Sequence, residues 1–137
     1  MVMSLQISRS LRDRIVAEAA AVPRLEVCGL LLGRAGLVTG APACRNVAAD
    51  PTRAFEIDPA ALIAAHRAAR AGGPDIIGCW HSHPSGNARP SAADAAAALD
   101  PSWWWLIVAG GEVGAFRVVP SGPIHGRFAP VALAATP

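Results

Sequence analysis

Cys79-Trp80-His81-Ser82-His83-Pro84, continuing through Ser85-Gly86-Asn87-Ala88-Arg89-Pro90 to Ser91-Ala92-Ala93-Asp94, decides how the rest of the chain is read. Ile76 to Trp80 is an apolar run of strand length, and alternate side chains of a strand share a face. His81 and His83 therefore point the same way. Two imidazoles side by side clamp a borderline-soft cation such as zinc, which takes nitrogen, sulfur or carboxylate donors in a tetrahedral set. Such a clamp calls for a third ligand.

Pro84 cannot donate to a sheet ladder, and Gly86, Asn87 and Pro90 favour turns, so the strand should stop at His83 and the chain reverse. Ser91 is placed to cap a helix over Ala92 to Leu99, an almost pure alanine run of high helix propensity. Ser91 and Asp94, three apart on its first turn, share a face. A turn of this length can swing that face over the histidines. The result is a His81, His83, Asp94 metal site with a hydroxyl beside it and a fourth position open for water. The same Ser-x-x-Asp spacing also serves as a plain capping arrangement, and an isolated His-x-His is commonly a strand end with exposed imidazoles. Their conjunction with a sharp turn favours the metal, because structural needs alone do not set polar groups against an apolar strand.

The chain has 137 residues, 53% of them hydrophobic, enough for one domain to bury a core without disulfides. Its three cysteines form no Cys-x-x-Cys pair, which argues for a reducing compartment, the cytoplasm. Met1 to Ser10 lacks the apolar core of a signal peptide, and no apolar run is long enough to span a membrane. The net charge is only +2 and the basic residues, all arginine, are scattered. Neither nucleic acid nor a membrane surface is expected as a partner.

Leu5 and Ile7 suit a short first strand, after which Ser8 or Ser10 caps a helix to about Ala21 with Leu11, Ile15, Ala19 and Val22 on its apolar face. Glu26 to Gly33 reads as a buried strand, turning through Arg34-Ala35-Gly36 into a second from Leu37 toward Val47. Asp58-Pro59 opens a helix to about Arg70, with Leu62, Ile63, Ala65 and Ala69 facing the core. Gly72-Gly73-Pro74 breaks it before the histidine strand, whose neighbour is expected to be the strand of Glu26. Trp103 to Ala109 is a strand whose tryptophans alternate faces and pack in the core, turning at Gly110-Gly111 into Glu112 to Val119. Ile124 to Phe128 is a further short strand, and the tail from about residue 130 is expected to fray. The order argues for an α/β fold, a mixed sheet flanked by helices.

Glu26 stands out, because a carboxylate at the head of an apolar strand is costly unless something cationic awaits it. It is either a strand-end residue in water or part of the site. Cys28 and Cys79 fall, by alternation, on the faces of Glu26 and His81, one step further into the sheet. The His, His, Asp set already completes the protein's share of a catalytic zinc site, so both are expected to be buried packing thiols.

His81-Ser82-His83, seven residues, Ser91, two residues, Asp94 resembles the signature of the JAMM (MPN-plus) zinc metalloproteases. Leu25 to Gly33 resembles the family segment that carries an upstream glutamate. No motif position departs, and the likeness runs from about Ser8 to near Val118. It implies an MPN fold, related to the cytidine-deaminase architecture, and one zinc per chain on His81, His83 and Asp94. A bound water would be acidified from a pKa of ~15.7 to around 7. It also implies Glu26 as general base and then acid, and Ser91 as hydrogen-bond donor to the oxyanion. The reaction implied is cleavage of a peptide or isopeptide bond after the Gly-Gly tail of a ubiquitin-like protein or a sulfur carrier of the ThiS/MoaD kind. The rival readings are a catalytically silent MPN scaffold, which would have lost ligands that this chain keeps, and a DNA-associated role, which the scattered arginines disfavour.

Overall fold

A computed structural model describes residues 4–137; the first three residues of the Met1 to Ser10 stretch lie outside it. The chain runs β1 (Ser4–Ser8), α1 (Arg9–Ala21), β2 (Cys28–Arg34), β3 (Leu37–Gly40), β4 (Ala43–Cys44), α2 (Pro59–Arg70), β5 (Asp75–Ser82), α3 (Ala92–Ala97), β6 (Trp104–Ala109), β7 (Glu112–Gly122) and β8 (Gly126–Thr136). The strands form one mixed sheet in the order β3-β1-β8-β7-β6-β5-β2-β4. Because β3 pairs with β1 on one side and with the C-terminal half of β2 on the other, the sheet closes on itself.

β5 carries the two histidines into the sheet. It pairs antiparallel with β2, setting His81 opposite Cys28, and parallel with β6, setting His81 beside Ile107. The expected neighbour of the histidine strand is thus the strand that Glu26 precedes. Close approach to β6 is possible because residue 78 is glycine: a Cβ there would collide with the Trp104 carbonyl oxygen. The alternation of β6 divides its tryptophans as expected. Trp104 joins the core of Leu5, Ile7, Ile15, Leu31, Val38 and Trp80, while Trp105 joins that of Cys28, Leu30, Cys79, Ile107 and Phe128.

The helices follow their caps. The Ser8 hydroxyl accepts from Leu11 N–H at 3.2 Å, and the Asp58 carboxylate accepts from Ala60 N–H at 3.0 Å with Pro59 in the first turn. Two positions expected in the core are instead exposed, Val22 just past α1 and Ile63 on α2. The helix after Ser91 stops at Ala97 rather than Leu99, since Pro101 disfavours helical backbone at Asp100 and the chain must swing into β6. The strand expected from Leu37 to Val47 breaks into β3 and β4 around Pro42, which has no N–H to donate.

The largest correction concerns the tail. Residues 126–136 do not fray; they form β8, which pairs with β7 and runs parallel to β1, Leu5 opposite Leu133 and Ile7 opposite Ala135. Val131 and Leu133 pack on the core while Ala132 and Ala134 face out. Each residue pair along this contact spans nearly the whole chain, and the small, half-exposed side chains hide the period of two.

Candidate metal centre

At the end of β5 the chain brings four buried side chains together. One ligand atom from each of Glu26, His81, His83 and Asp94 lies within 4.8 Å of the others. The two histidine Nε2 atoms are 2.9 Å apart, and Asp94 Oδ2 lies 3.2 Å from that of His81 and 3.1 Å from that of His83. Tetrahedral zinc with bonds of about 2.0–2.1 Å sets its ligand atoms roughly 3.3 Å apart. The triad already has nearly that spacing. Glu26 Oε1 stands further off, 3.9 Å from His81 Nε2, and is buried without a hydrogen-bond partner. An orphaned, solvent-inaccessible carboxylate oxygen grouped with two imidazoles and an aspartate fits a cation-binding cavity, because without a partner it is costly to bury.

The tautomer of His83 supports ligation. His83 Nδ1 lies 2.7 Å from the Asn87 carbonyl oxygen, which accepts only if Nδ1 carries the proton. That leaves the Nε2 lone pair of His83 turned into the cavity, the orientation a metal ligand needs. Asn87 owes its position to the Pro84-to-Pro90 turn.

Asp94 arrives on the first turn of α3 through a full capping box. The Ser91 hydroxyl accepts from Asp94 N–H at 3.1 Å, and Asp94 Oδ2 accepts from Ser91 N–H at 2.9 Å. The capping box leaves Asp94 Oδ2 against both histidines, so capping and a ligand role for Asp94 do not exclude one another. The Ser91 hydroxyl acts as acceptor in the cap and keeps its own proton free to donate.

Electrostatics separate the two acids. Burial raises the Glu26 carboxyl to about 7, against a lowering by His83 and with a further rise from Asp94. Burial also pushes Asp94 up, but its short contacts with the His81 and His83 rings, the electrostatic pull of His81 and the Ser91 N–H more than reverse this, holding it well below the usual carboxylate range. His81 is lowered by its complete burial, against a rise from its contact with Asp94. His83 is lowered by burial and raised more by the Asp94 and Asn87 hydrogen bonds, a net rise. One carboxylate is thus fixed as an anion and the other is poised to exchange a proton near neutrality.

Two side chains without any signal in the sequence shape the site. Phe55 stacks on the His81 ring, centroids 4.2 Å apart and planes 21° apart. Ser82, between the histidines and so on the opposite face, accepts from Val27 N–H at 2.8 Å, while its own N–H donates to Val27 O at 2.8 Å. It staples the Glu26 segment to β5. Neither role is legible without knowing which segments meet. Cys28 and Cys79 are buried free thiols in one cluster and outside the ligand group, and burial raises both, Cys28 to about 12. His66 and His125 are exposed and outside the group. Beside His83 an apolar cleft of about 460 Å³ runs between the end of α1 (Ala19, Val22), Leu25 and the Gly110-Gly111 turn.

Residues 8–119 match the family described as prokaryotic homologs of the JAB domain. The chain is 38% identical over 109 residues, 75% of its own length and 78% of the other's, to a desampylase of Haloferax volcanii. A protein of Desulfitobacterium hafniense, known from a solution structure, superposes with a TM-score of 0.80 at 28% identity, covering 98% of this chain and 93% of that one. A JAB1/MPN domain protein from Archaeoglobus fulgidus superposes with a TM-score of 0.59 over 96% of this chain and 98% of that one; at 18% identity it speaks to the fold alone.

Proposed function

The chain belongs to the family of prokaryotic homologs of the JAB domain and is an enzyme, a hydrolase of the JAMM type; from that premise we propose that it is a zinc-dependent isopeptidase cleaving the bond after the C-terminal Gly-Gly of a ubiquitin-like or sulfur-carrier protein. The observation that carries the reading is the buried group of Glu26, His81, His83 and Asp94, its ligand atoms within 4.8 Å of one another. The desampylase relative supports a ubiquitin-like protein as the part released. The apolar cleft beside His83 offers an extended tail a place to lie next to the ligand group.

His81, His83 and Asp94 would hold the zinc through two imidazole nitrogens and one carboxylate oxygen. When bound, the ion acidifies water and polarises the scissile carbonyl. The remaining steps belong to the side chains. Glu26, raised to about 7 by burial, takes the proton of the attacking water and returns it to the leaving amine. Ser91 points its free hydroxyl proton at the oxygen that gains charge, an effect commonly worth about 3 kcal/mol. No side-chain nucleophile takes part, so no covalent acyl-enzyme forms.

The test is a fusion of a ubiquitin-like or sulfur-carrier protein ending in Gly-Gly to a reporter, incubated with zinc-loaded, chelated and zinc-restored enzyme. Cleavage after Gly-Gly that is lost on chelation and regained with zinc is the expected result. Zinc-loaded enzyme that leaves such fusions, linear and isopeptide-linked, intact would overturn the proposal.

A further inference from the structure

We propose that Asn46 is the positioning residue of this site: its carboxamide ties the backbone of the general base Glu26 to the loop that lays Phe55 on the His81 ring. This rests on the roles proposed for Glu26 and His81. Asn46 lies just past β4, outside the ligand group, and nothing in the signature points to it.

Its side chain uses all its hydrogen-bonding capacity, two donors and two acceptor positions. Nδ2 donates to the carbonyl oxygens of Glu26 at 2.9 Å and Ala54 at 3.0 Å. Oδ1 accepts from Ala48 N–H at 3.0 Å and Glu56 N–H at 3.0 Å. Ala54 and Glu56 are the two neighbours of Phe55, so one carboxamide clasps the chain on both sides of the ring that stacks on His81. The same group holds the residue bearing the general base by its carbonyl. The far end of this loop closes the connection, since Glu26 N–H donates to Pro51 O at 2.7 Å.

The consequence is a shared reference point. Glu26 precedes β2 and is held outside the sheet, its N–H by Pro51 O and its carbonyl by Asn46, while His81 is fixed within β5. Their relative placement, 3.9 Å between Glu26 Oε1 and His81 Nε2, depends on the loop of residues 48–55, and Asn46 sets that loop. Catalysis is sensitive to displacements on this scale, with about 1 Å costing on the order of 10²-fold in rate.

Asn46→Asp is the sharp variant. It is isosteric and keeps both acceptor bonds, but it puts an oxygen against the carbonyls of Glu26 and Ala54 in place of two donors. Asn46→Ala removes all four bonds, and Arg53→Ala, at an exposed position on the same loop, is the control. In metal-free protein, NMR should show the His81 ring protons losing the upfield shift that the Phe55 face imposes, and the Glu26 amide exchanging faster, in Asn46→Asp but not in Arg53→Ala. In zinc-loaded enzyme on the Gly-Gly fusion, kcat should fall by about 10²-fold with KM and zinc stoichiometry unchanged. A merely structural role would lower the melting temperature and leave kcat of the folded fraction as it was. The wild type supplies an arm that needs no variant: the Asn46 carboxamide protons should be protected from exchange. Free exchange of those protons, or a folded Asn46→Asp with wild-type His81 shifts and kcat within twofold, would overturn the proposal. The NMR arm decides even if the Gly-Gly substrate is wrong.

Discussion

Replacing Glu26 by glutamine removes one ionisable oxygen and changes little else in shape. In the metal-free protein the carboxyl is raised from 4.5 to about 7, chiefly by burial, a difference of about 2.5 units. At 1.36 kcal/mol per unit this is about 3 kcal/mol. The folded state holds the proton more tightly than the unfolded chain, so the wild type loses stability as pH rises from 4.5 through 7. Glutamine has no such loss. Metal-free Glu26→Gln should therefore be more stable than metal-free wild type by about 3 kcal/mol at pH 8, less any screening by water reaching the carboxylate, and by under about 1 kcal/mol at pH 5. Urea denaturation in the presence of chelator at the two pH values measures the difference directly, because the titrations of His81, His83 and Asp94 are common to both proteins to first order. The zinc-loaded variant should keep its metal and lose roughly 10²–10⁴ in kcat, since the amide cannot accept the proton of water. A stability difference independent of pH, or a variant with near-normal turnover, would refute the assignment of Glu26 as a buried base.

Asp94→Ala removes the anionic ligand and one half of the capping box, so elemental analysis should find zinc reduced from one per chain to a small fraction, with α3 loosened by about 1 kcal/mol; full zinc retention would exclude Asp94 as a ligand. Gly78→Ala drives a Cβ into the Trp104 carbonyl oxygen and should cost about 3 kcal/mol or more, or prevent folding, as judged by thermal denaturation. The double substitution Cys28→Ala, Cys79→Ala should lower stability by about 1–2 kcal/mol per site through lost packing while leaving the zinc content of the folded protein at the wild-type value.

What the sequence disclosed was local, and what it concealed was long-range. Ser91 as a cap, Asp58-Pro59 as a helix start and the common face of His81 and His83 depend on a few neighbouring residues and stand in the structure as expected. The adjacency of β2 and β5 was among the expectations and is present in the structure. β8 could not be anticipated, since its pairing with β1 joins the two ends of the chain and its Ala-rich run carries little hydrophobic signal. Val22 and Ile63 fit an apolar helical stripe yet lie in the open, because the stripe is wider than the surface each helix covers. Phe55, Ser82 and Asn46 were invisible for a related reason: each acts on a residue 26, 55 or 20 positions away, respectively, and only the closed sheet brings them together.

Zinc-edge X-ray absorption of the wild-type protein loaded with one equivalent of zinc tests the central claim most directly. A site built from His81, His83 and Asp94 predicts a first shell of nitrogen and oxygen only, at about 2.0–2.1 Å, with the multiple-scattering pattern of two imidazoles. A sulfur at about 2.3 Å would bring Cys28 or Cys79 into the site, and zinc that washes off without an imidazole signature would remove the metal centre altogether; either result would contradict the account.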